Sequence, residues 1–118
     1  MVVGITDIVS KKEFYNLVGD IGGTNARFAI VSKGSSELIN IKTLQCEKFE
    51  TIQQAIRFYL SSIEDIQISS ACIASAGTVH LDTFKPANND WVINKSEASS
   101  ALNNIHVSWI NDFNAQAL

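Results

Sequence analysis

The chain has 118 residues, of which 46% are apolar and 18% charged, and its net charge is −3. These values are typical of one globular domain and exclude a disordered chain. The basic residues are scattered, which argues against nucleic acid or an anionic membrane surface as a partner.

No apolar run approaches the roughly 20 residues that span a membrane, and residues 1–10 lack the features of a signal peptide. Cys46 and Cys72 form no metal motif, so we expect reduced thiols in a cytoplasmic protein.

The first half of the chain predicts a three-stranded antiparallel meander followed by a helix. Residues 1–15 are expected to be a loose tail, and the domain is expected to run over residues 16–118. The first predicted strand is Asn16–Val18 with the flanking Phe14 and Tyr15, and it runs into Gly19-Asp20. The other two are Ala26–Ser32 and Leu38–Leu44. Thr51 is the predicted N-cap of the helix, Gln54 completes a capping box, and apolar residues at helical spacing follow.

Alternating strands and helices make up the rest of the predicted domain. Ile66–Ala74 is apolar or small throughout its second half, which indicates a strand buried on both faces of a parallel sheet. Asn94 and Glu97 form a second capping box that opens a helix over Lys95–Leu102. The other predicted elements are a short strand His80–Phe84, a strand Ile105–Ile110 and a final helix Phe113–Leu118.

The predicted order of elements is β-β-β-α-β-(β)-α-β-α. A meander followed by alternating helices and strands indicates an α/β fold, with a mixed sheet and helices on its faces. The ribonuclease H-like fold of sugar kinases, actin and heat-shock chaperone ATPases has this order. Helix-covered mixed sheets of other topology fit the pattern as well.

A glycine-rich turn, Asp20-Ile21-Gly22-Gly23-Thr24, joins the first two predicted strands. Two adjacent glycines permit a tight turn with positive φ and leave backbone N–H groups uncovered, as a phosphate site requires. The Thr24 hydroxyl adds a donor, and Asp20 at the strand end can hold magnesium. The spacing fits neither a Rossmann fingerprint nor a Walker loop. On spacing alone, an ordinary hairpin remains the alternative.

Asn111 and Asp112 stand where the last predicted strand meets the last predicted helix. The positive end of a helix dipole keeps a carboxylate ionised there, and an ionised carboxylate can accept a proton from a hydroxyl during phosphoryl transfer. The Asn111 amide can both donate to and accept from neighbouring hydroxyls. Asp112 fits an N-cap equally well, because Asp is among the preferred capping residues.

Two stretches resemble signatures of the bacterial glucokinase family. Leu17–Ala29 is similar to the family's first phosphate motif, and Ile110–Phe113 is similar to its Ile-Asn-Asp-Phe signature. The resemblance implies that Asp112 is the catalytic base and Asn111 a glucose ligand. It assigns the ATP phosphates and Mg²⁺ to the turn, with Asp20 as the metal ligand. The residues implied for the phosphates and metal are Asp20, Gly22, Gly23, Thr24 and Asn25.

A third stretch, Ala87–Trp91, resembles the family's Thr-Asn-x-x-Trp element beside the sugar. The resemblance implies that Asn88 is a second sugar ligand, whereas Trp91 is expected to pack in the core. The chain departs from the family pattern at Thr78, where members often have proline, and at Ala87, where threonine is usual.

The resemblance covers most of Leu17–Leu118 and implies the N-terminal lobe of a glucokinase. Such an enzyme is a hexokinase-type phosphotransferase of glycolysis, which uses ATP and Mg²⁺ to phosphorylate the 6-hydroxyl of glucose. We expect the chain to be a fragment without the C-terminal lobe and nearly inactive alone, and a homodimer is left open. The alternative function is a sugar-responsive regulator of the ROK kind, which binds a hexose without phosphorylating it.

The other polar residues are expected to have structural or solvent-exposed positions. Arg27 either steers phosphates or braces the hairpin, and the residues do not decide between these roles. His80 and His106 are expected to be structural or surface residues. The pairs Glu64-Asp65 and Asn89-Asp90 are expected in solvated turns.

Overall fold

A five-stranded mixed sheet is the centre of the fold in the computed structural model, which describes residues 13–79, 82–86 and 89–111. The strands are β1 (Glu13–Ile21), β2 (Asn25–Ser32), β3 (Leu38–Gln45), β4 (Ile66–Ser75), β5 (Gly77–Val79), β6 (Thr83–Pro86), β7 (Ile93–Asn94) and β8 (His106–Asn111). The helices are α1 (Ile52–Ser61) and α2 (Lys95–Ala101), and a short 3₁₀ helix covers Cys46–Lys48.

The larger sheet has the strand order β3-β2-β1-β4-β8. The first three strands form the predicted antiparallel meander, whereas β4 runs parallel to β1 and β8 runs parallel to β4. The predicted α/β class with a mixed sheet is therefore confirmed. β1 begins at Glu13, inside the stretch 1–15 where a loose tail is predicted, because its first residues pair with the start of β4, as in Glu13↔Ile66. The predicted final helix lies outside the described residues.

Both described helices begin at the predicted caps. The Thr51 hydroxyl accepts a hydrogen bond from the Gln54 N–H at 3.2 Å, and the Gln54 side chain accepts one from the Glu50 N–H at 2.9 Å. Asn94 accepts a hydrogen bond from the Glu97 N–H at 3.0 Å. These bonds satisfy N–H groups that a helix start otherwise leaves without partners.

The core lies between one face of the larger sheet and the two helices. Tyr59 of α1 packs on Phe28 of β2 with ring centroids 5.5 Å apart. The buried side chains that meet in this layer include Leu17, Phe28, Ile30, Ile73, Ile52, Ile56, Tyr59, Ala98 and Leu102. This packing anchors the sheet on which the candidate site is built.

The fourth strand has the predicted parallel pairing but not the predicted burial on both faces. Ala71, Ile73 and Ser75 are buried, whereas Cys72 and Ala74 between them are only half-buried. Successive side chains of a strand point to opposite faces, so the helices cover the face that carries Ile73. Cys46 is buried, and both cysteines are free thiols. Neither of the described helices has the length and apolar character needed to cross a membrane.

A small antiparallel sheet of β5, β6 and β7 replaces the single strand predicted over His80–Phe84. That prediction is wrong because the chain reverses within the stretch, so that Gly77 pairs with Pro86 and Val79 with Phe84. Residues 80 and 81 lie outside the described residues. Gly77 permits this close pairing, since a Cβ at its position would collide with the Lys85 carbonyl oxygen.

Candidate functional site

Three parallel strands, β1, β4 and β8, end at the same edge of the larger sheet. Ile21 near the end of β1 pairs with Ser75 of β4, and Ser75 pairs with Asn111 of β8. The glycine turn that follows β1 and the Asn111 backbone therefore lie at one edge, separated by one strand or roughly 10 Å. Ligands of open α/β sheets bind at this carboxyl edge of the strands. The topology thus brings together two of the three sequence signatures.

Ser75 ties the ends of two of these strands together. Its side chain is fully buried, and its hydroxyl donates a hydrogen bond of 2.7 Å to the Ile21 carbonyl oxygen. The Ser75 hydroxyl oxygen also lies 3.1 Å from the Ala76 carbonyl oxygen. The residue just before the glycine turn is therefore fixed to the middle strand.

The glycine turn presents backbone N–H groups to solvent. The Gly22 N–H donates to the Asn25 carbonyl oxygen at 2.8 Å, which closes the turn. Within the described part of the chain, the N–H groups of Gly23 and Thr24 have no acceptor, and both residues are exposed. Two adjacent free N–H groups are the donors that an anion such as phosphate accepts.

The backbone of the turn differs from the expected conformation. Neither Gly22 nor Gly23 has a positive φ, whereas Gly34 in the following turn does, at 82°. A Cβ at Gly22 would lie 3.2 Å from the Asn25 carbonyl oxygen, which is a tight contact. The predicted tight turn is present, but its glycines do not have the left-handed backbone that the sequence leads us to expect.

Asp20 and Arg27 face each other across the hairpin. They are directly paired residues of β1 and β2, both are exposed, and both side chains lie on the face away from the helices. This position fits a bracing role for Arg27 beside the carboxylate. Mg²⁺ in phosphate-transfer sites is held by one or two carboxylates together with phosphate oxygens and water. One exposed carboxylate next to free N–H groups fits such an ion.

Asn89 and Cys46 hold the carbonyl side of the same turn. The Asn89 amide donates a 3.0 Å hydrogen bond to the Gly22 carbonyl oxygen, and the Cys46 thiol lies 3.9 Å from it. The Cys46 N–H donates to the Thr24 carbonyl oxygen at 2.9 Å. Burial raises the pKa of the Cys46 thiol, although a hydrogen bond with Asn89 opposes the rise. The thiol is therefore protonated at neutral pH and can donate.

The expectation that Asn89 lies in a solvated turn is wrong for its side chain. Asn89 is half-buried and is joined to the glycine turn 67 residues earlier in the chain. No pattern in the sequence connects these positions. Its neighbour Trp91 is in the core as predicted, 5% exposed, with its indole N–H donating to the Phe49 carbonyl oxygen at 3.0 Å. His106 is exposed, as predicted.

Two predicted site residues, Asn88 and Asp112, lie outside the described residues. Asn111 is described as the last residue of β8. The turn residues Gly22, Gly23, Thr24 and Asn25 are all exposed at the sheet edge, next to Asp20. The structure therefore describes the residues expected to bind phosphate. Of the residues expected to bind or activate the sugar, it describes only Asn111.

Known proteins resemble this chain along most of its length. A family model described as Glucokinase matches residues 17–118. The glucokinase of Hahella chejuensis is 44% identical over 107 residues, which is 91% of this chain and 33% of that protein. The chain thus spans about a third of the length of the curated relatives it matches.

Solved structures share the fold. A crystal structure of glucokinase from an Antarctic psychrotroph superposes with a TM-score of 0.77 at 34% identity, covering 86% of this chain and 33% of that one. Glucokinase from Balamuthia mandrillaris in complex with glucose superposes with a TM-score of 0.69 at 23% identity, covering 96% of this chain and 33% of that one. The strand order, the glycine turn and the family match lead to one conclusion: the chain belongs to the glucokinase family.

Proposed function

We propose that the intact protein transfers the γ-phosphoryl group of ATP to the 6-hydroxyl of glucose. The observation that carries this proposal is the pair of free N–H groups at Gly23 and Thr24, at the sheet edge that also carries Asn111. The 44% identity to a glucokinase supports the choice of reaction, and the relative solved with glucose supports the choice of sugar.

The glycine turn is proposed to bind the phosphates of ATP. Gly23 and Thr24 donate their backbone N–H groups, the Thr24 hydroxyl is a further donor, and Asn25 borders the same exposed surface. Asp20 would hold Mg²⁺, which neutralises charge on the phosphate oxygens when it is bound. Fixed donors of this kind stabilise the charge that develops during phosphoryl transfer.

The end of β8 is proposed to bind and activate the sugar. Asn111 and Asn88 would hydrogen-bond neighbouring hydroxyls, which fixes the orientation of the hexose. Asp112 would accept the proton of the 6-hydroxyl as this oxygen attacks the γ-phosphorus. The role is supported by the end of β8 at Asn111, the residue that precedes Asp112 in the sequence.

The remaining properties concern the intact protein. We propose a cytoplasmic location, because ATP is available there, and residues 16–118 as one lobe of a cleft that binds ATP and glucose. The near inactivity of this chain alone stays a prediction, and a homodimer is left open. The second candidate, a hexose-binding regulator, requires the same sugar ligands but no base.

Turnover by the intact protein tests the proposed function. Glucose should cause ADP formation from ATP in the presence of Mg²⁺, with phosphate recovered on the 6-oxygen. The control is 6-deoxyglucose, which keeps the other hydroxyls but lacks the acceptor and should inhibit without being phosphorylated. Glucose binding without any ADP formation would contradict the kinase and favour the regulator.

A further inference from the structure

The glycine turn needs an external support if its N–H groups are to point in one direction. Glycine restricts the backbone less than any other residue, and Gly22 and Gly23 are adjacent and exposed. In a planar trans peptide the C=O and the following N–H point in opposite directions. The direction of the Gly22 carbonyl therefore sets the direction of the Gly23 N–H.

The Asn89 side chain fixes that carbonyl. Its amide nitrogen donates to the Gly22 oxygen at 3.0 Å, and its amide oxygen accepts from the Trp91 N–H at 2.8 Å. A backbone carbonyl can only accept and a backbone N–H can only donate, so the two partners define the orientation of the amide group. Both ends of the Asn89 side chain are thus used.

The support of Asn89 is itself rigid. Trp91, which holds the Asn89 amide oxygen, is 5% exposed and is anchored by its indole N–H on the Phe49 carbonyl. Cys46 adds a second attachment through its N–H to the Thr24 carbonyl at 2.9 Å. The carbonyl side of the turn is therefore bound to the protein, and the N–H groups of Gly23 and Thr24 are left for a ligand.

We propose that Asn89 is a positioning residue of the phosphate-binding turn, which holds the Gly22–Gly23 peptide so that the Gly23 N–H is preset for a phosphoryl oxygen of the nucleotide. The role in nucleotide binding rests on the proposed function, whereas the rigidity of the turn does not. A preset donor lowers the entropy lost on binding, so the effect belongs to the nucleotide and not to the sugar.

Two substitutions in the intact protein separate the two bonds of Asn89. Asn89→Asp keeps the acceptor for the Trp91 N–H but loses the donor to Gly22, and Asn89→Ala loses both without adding charge. Both variants should raise the KM for ATP about tenfold, as expected for one lost hydrogen bond. The KM for glucose should stay within about twofold of its value in the unsubstituted protein. The control is Glu64→Ala, an exposed residue just before β4 and so at the opposite edge of the sheet, which should leave both constants within about twofold.

Other patterns of the same measurement overturn the proposal. An effect in Asn89→Asp alone would come from the added charge, and an effect in Asn89→Ala alone would come from the lost bond to Trp91. Equal increases in the KM for ATP and for glucose would indicate general damage to the fold. Unchanged constants in both variants would show that the bond to Gly22 is irrelevant to nucleotide binding.

A measurement without substrates distinguishes this inference from the proposed function. In the intact protein free of nucleotide, ¹⁵N relaxation should report a rigid amide at Gly23, with an order parameter of about 0.85 that falls below about 0.6 in both Asn89 variants. The Gly22 amide should stay rigid in all of them, because its N–H is bonded to the Asn25 carbonyl oxygen. This result would stand even if the protein phosphorylated no sugar, in which case only the proposed function would fail. A Gly23 order parameter that is unchanged in the variants would overturn the positioning role.

Discussion

Tyr59 connects the helix layer to the sheet through a single buried side chain. It is 0% exposed, its ring packs on Phe28, and its hydroxyl donates a 2.8 Å hydrogen bond to the Asn40 carbonyl oxygen. Burial raises the pKa of Tyr59 from its usual 10.0 to about 12. The neutral phenol is therefore favoured in the folded state, since the ionised form would be desolvated.

The raised pKa of Tyr59 predicts a loss of stability at alkaline pH. Between pH 10.0 and about 12, the unfolded state releases the phenol proton and the folded state retains it. The free energy of unfolding should therefore fall as the pH rises across this window. Below the window, Tyr59 should cause no dependence of stability on pH. Denaturant unfolding of Tyr59→Phe should show a smaller fall across this window than the unsubstituted chain. Equal falls in Tyr59→Phe and the unsubstituted chain would contradict this account.

At the same scale, the sequence predicts residue types better than residue partners. Gly22, Gly23 and Thr24 stand out because adjacent glycines between two strands mark a turn with uncovered N–H groups, and the structure shows their exposed turn. Asn89 does not stand out in the sequence, because its importance comes from a hydrogen bond to the carbonyl of a residue 67 positions earlier. Before the fold is known, an asparagine with such a distant partner cannot be distinguished from any other asparagine in a polar loop.

Elements with local signals are predicted well. The bonds from Thr51 to Gln54 and from Asn94 to Glu97 span three residues, so the sequence contains both partners of each cap. The small sheet has no such signal. Its strands are two to four residues long and are defined by pairing between β5, β6 and β7. The sequence therefore predicts only one short strand over His80–Phe84, where apolar and polar residues are mixed.

Gly77 tests whether the close pairing of β5 and β6 contributes to stability. An added Cβ would collide with the Lys85 carbonyl and lie 2.9 Å from the Pro86 Cα, both backbone atoms that cannot swing aside. Gly77→Ala should therefore lower the free energy of unfolding by about 1–3 kcal/mol, measured by urea denaturation.

The control for Gly77 is a second glycine in an open place. Gly34 has a φ of 82° and nothing within 4 Å of the position of a Cβ, and asparagine tolerates this backbone region. Gly34→Asn should change stability by less than about 0.5 kcal/mol. If Gly77→Ala were as mild as Gly34→Asn, the close approach of the strands would have no energetic importance.

At the scale of the whole molecule, the parallel strands explain why distant signatures meet. The turn after β1 and the end of β8 are about 90 residues apart, and their pairing through Ser75 of β4 brings them to one edge of the sheet. The order of predicted elements indicates a mixed sheet but fits other topologies as well, so the strand pairings were needed to show that these two ends share an edge. The fold class was predictable from the sequence, whereas the sugar ligands Asn88 and Asn111 and the base Asp112 remain predictions from the resemblance.

The turnover of Asp112→Asn in the intact protein tests the central claim most directly. Asparagine caps a helix as well as aspartate does but cannot accept the proton of a hydroxyl, so this substitution separates the two roles considered for Asp112. We expect kcat to fall by about 10²–10⁴-fold while glucose binding persists, because the ligands of the sugar are unchanged. A kcat within a few-fold of the unsubstituted enzyme would show that Asp112 is only a cap. The kinase site proposed at this edge of the sheet would then lack its base.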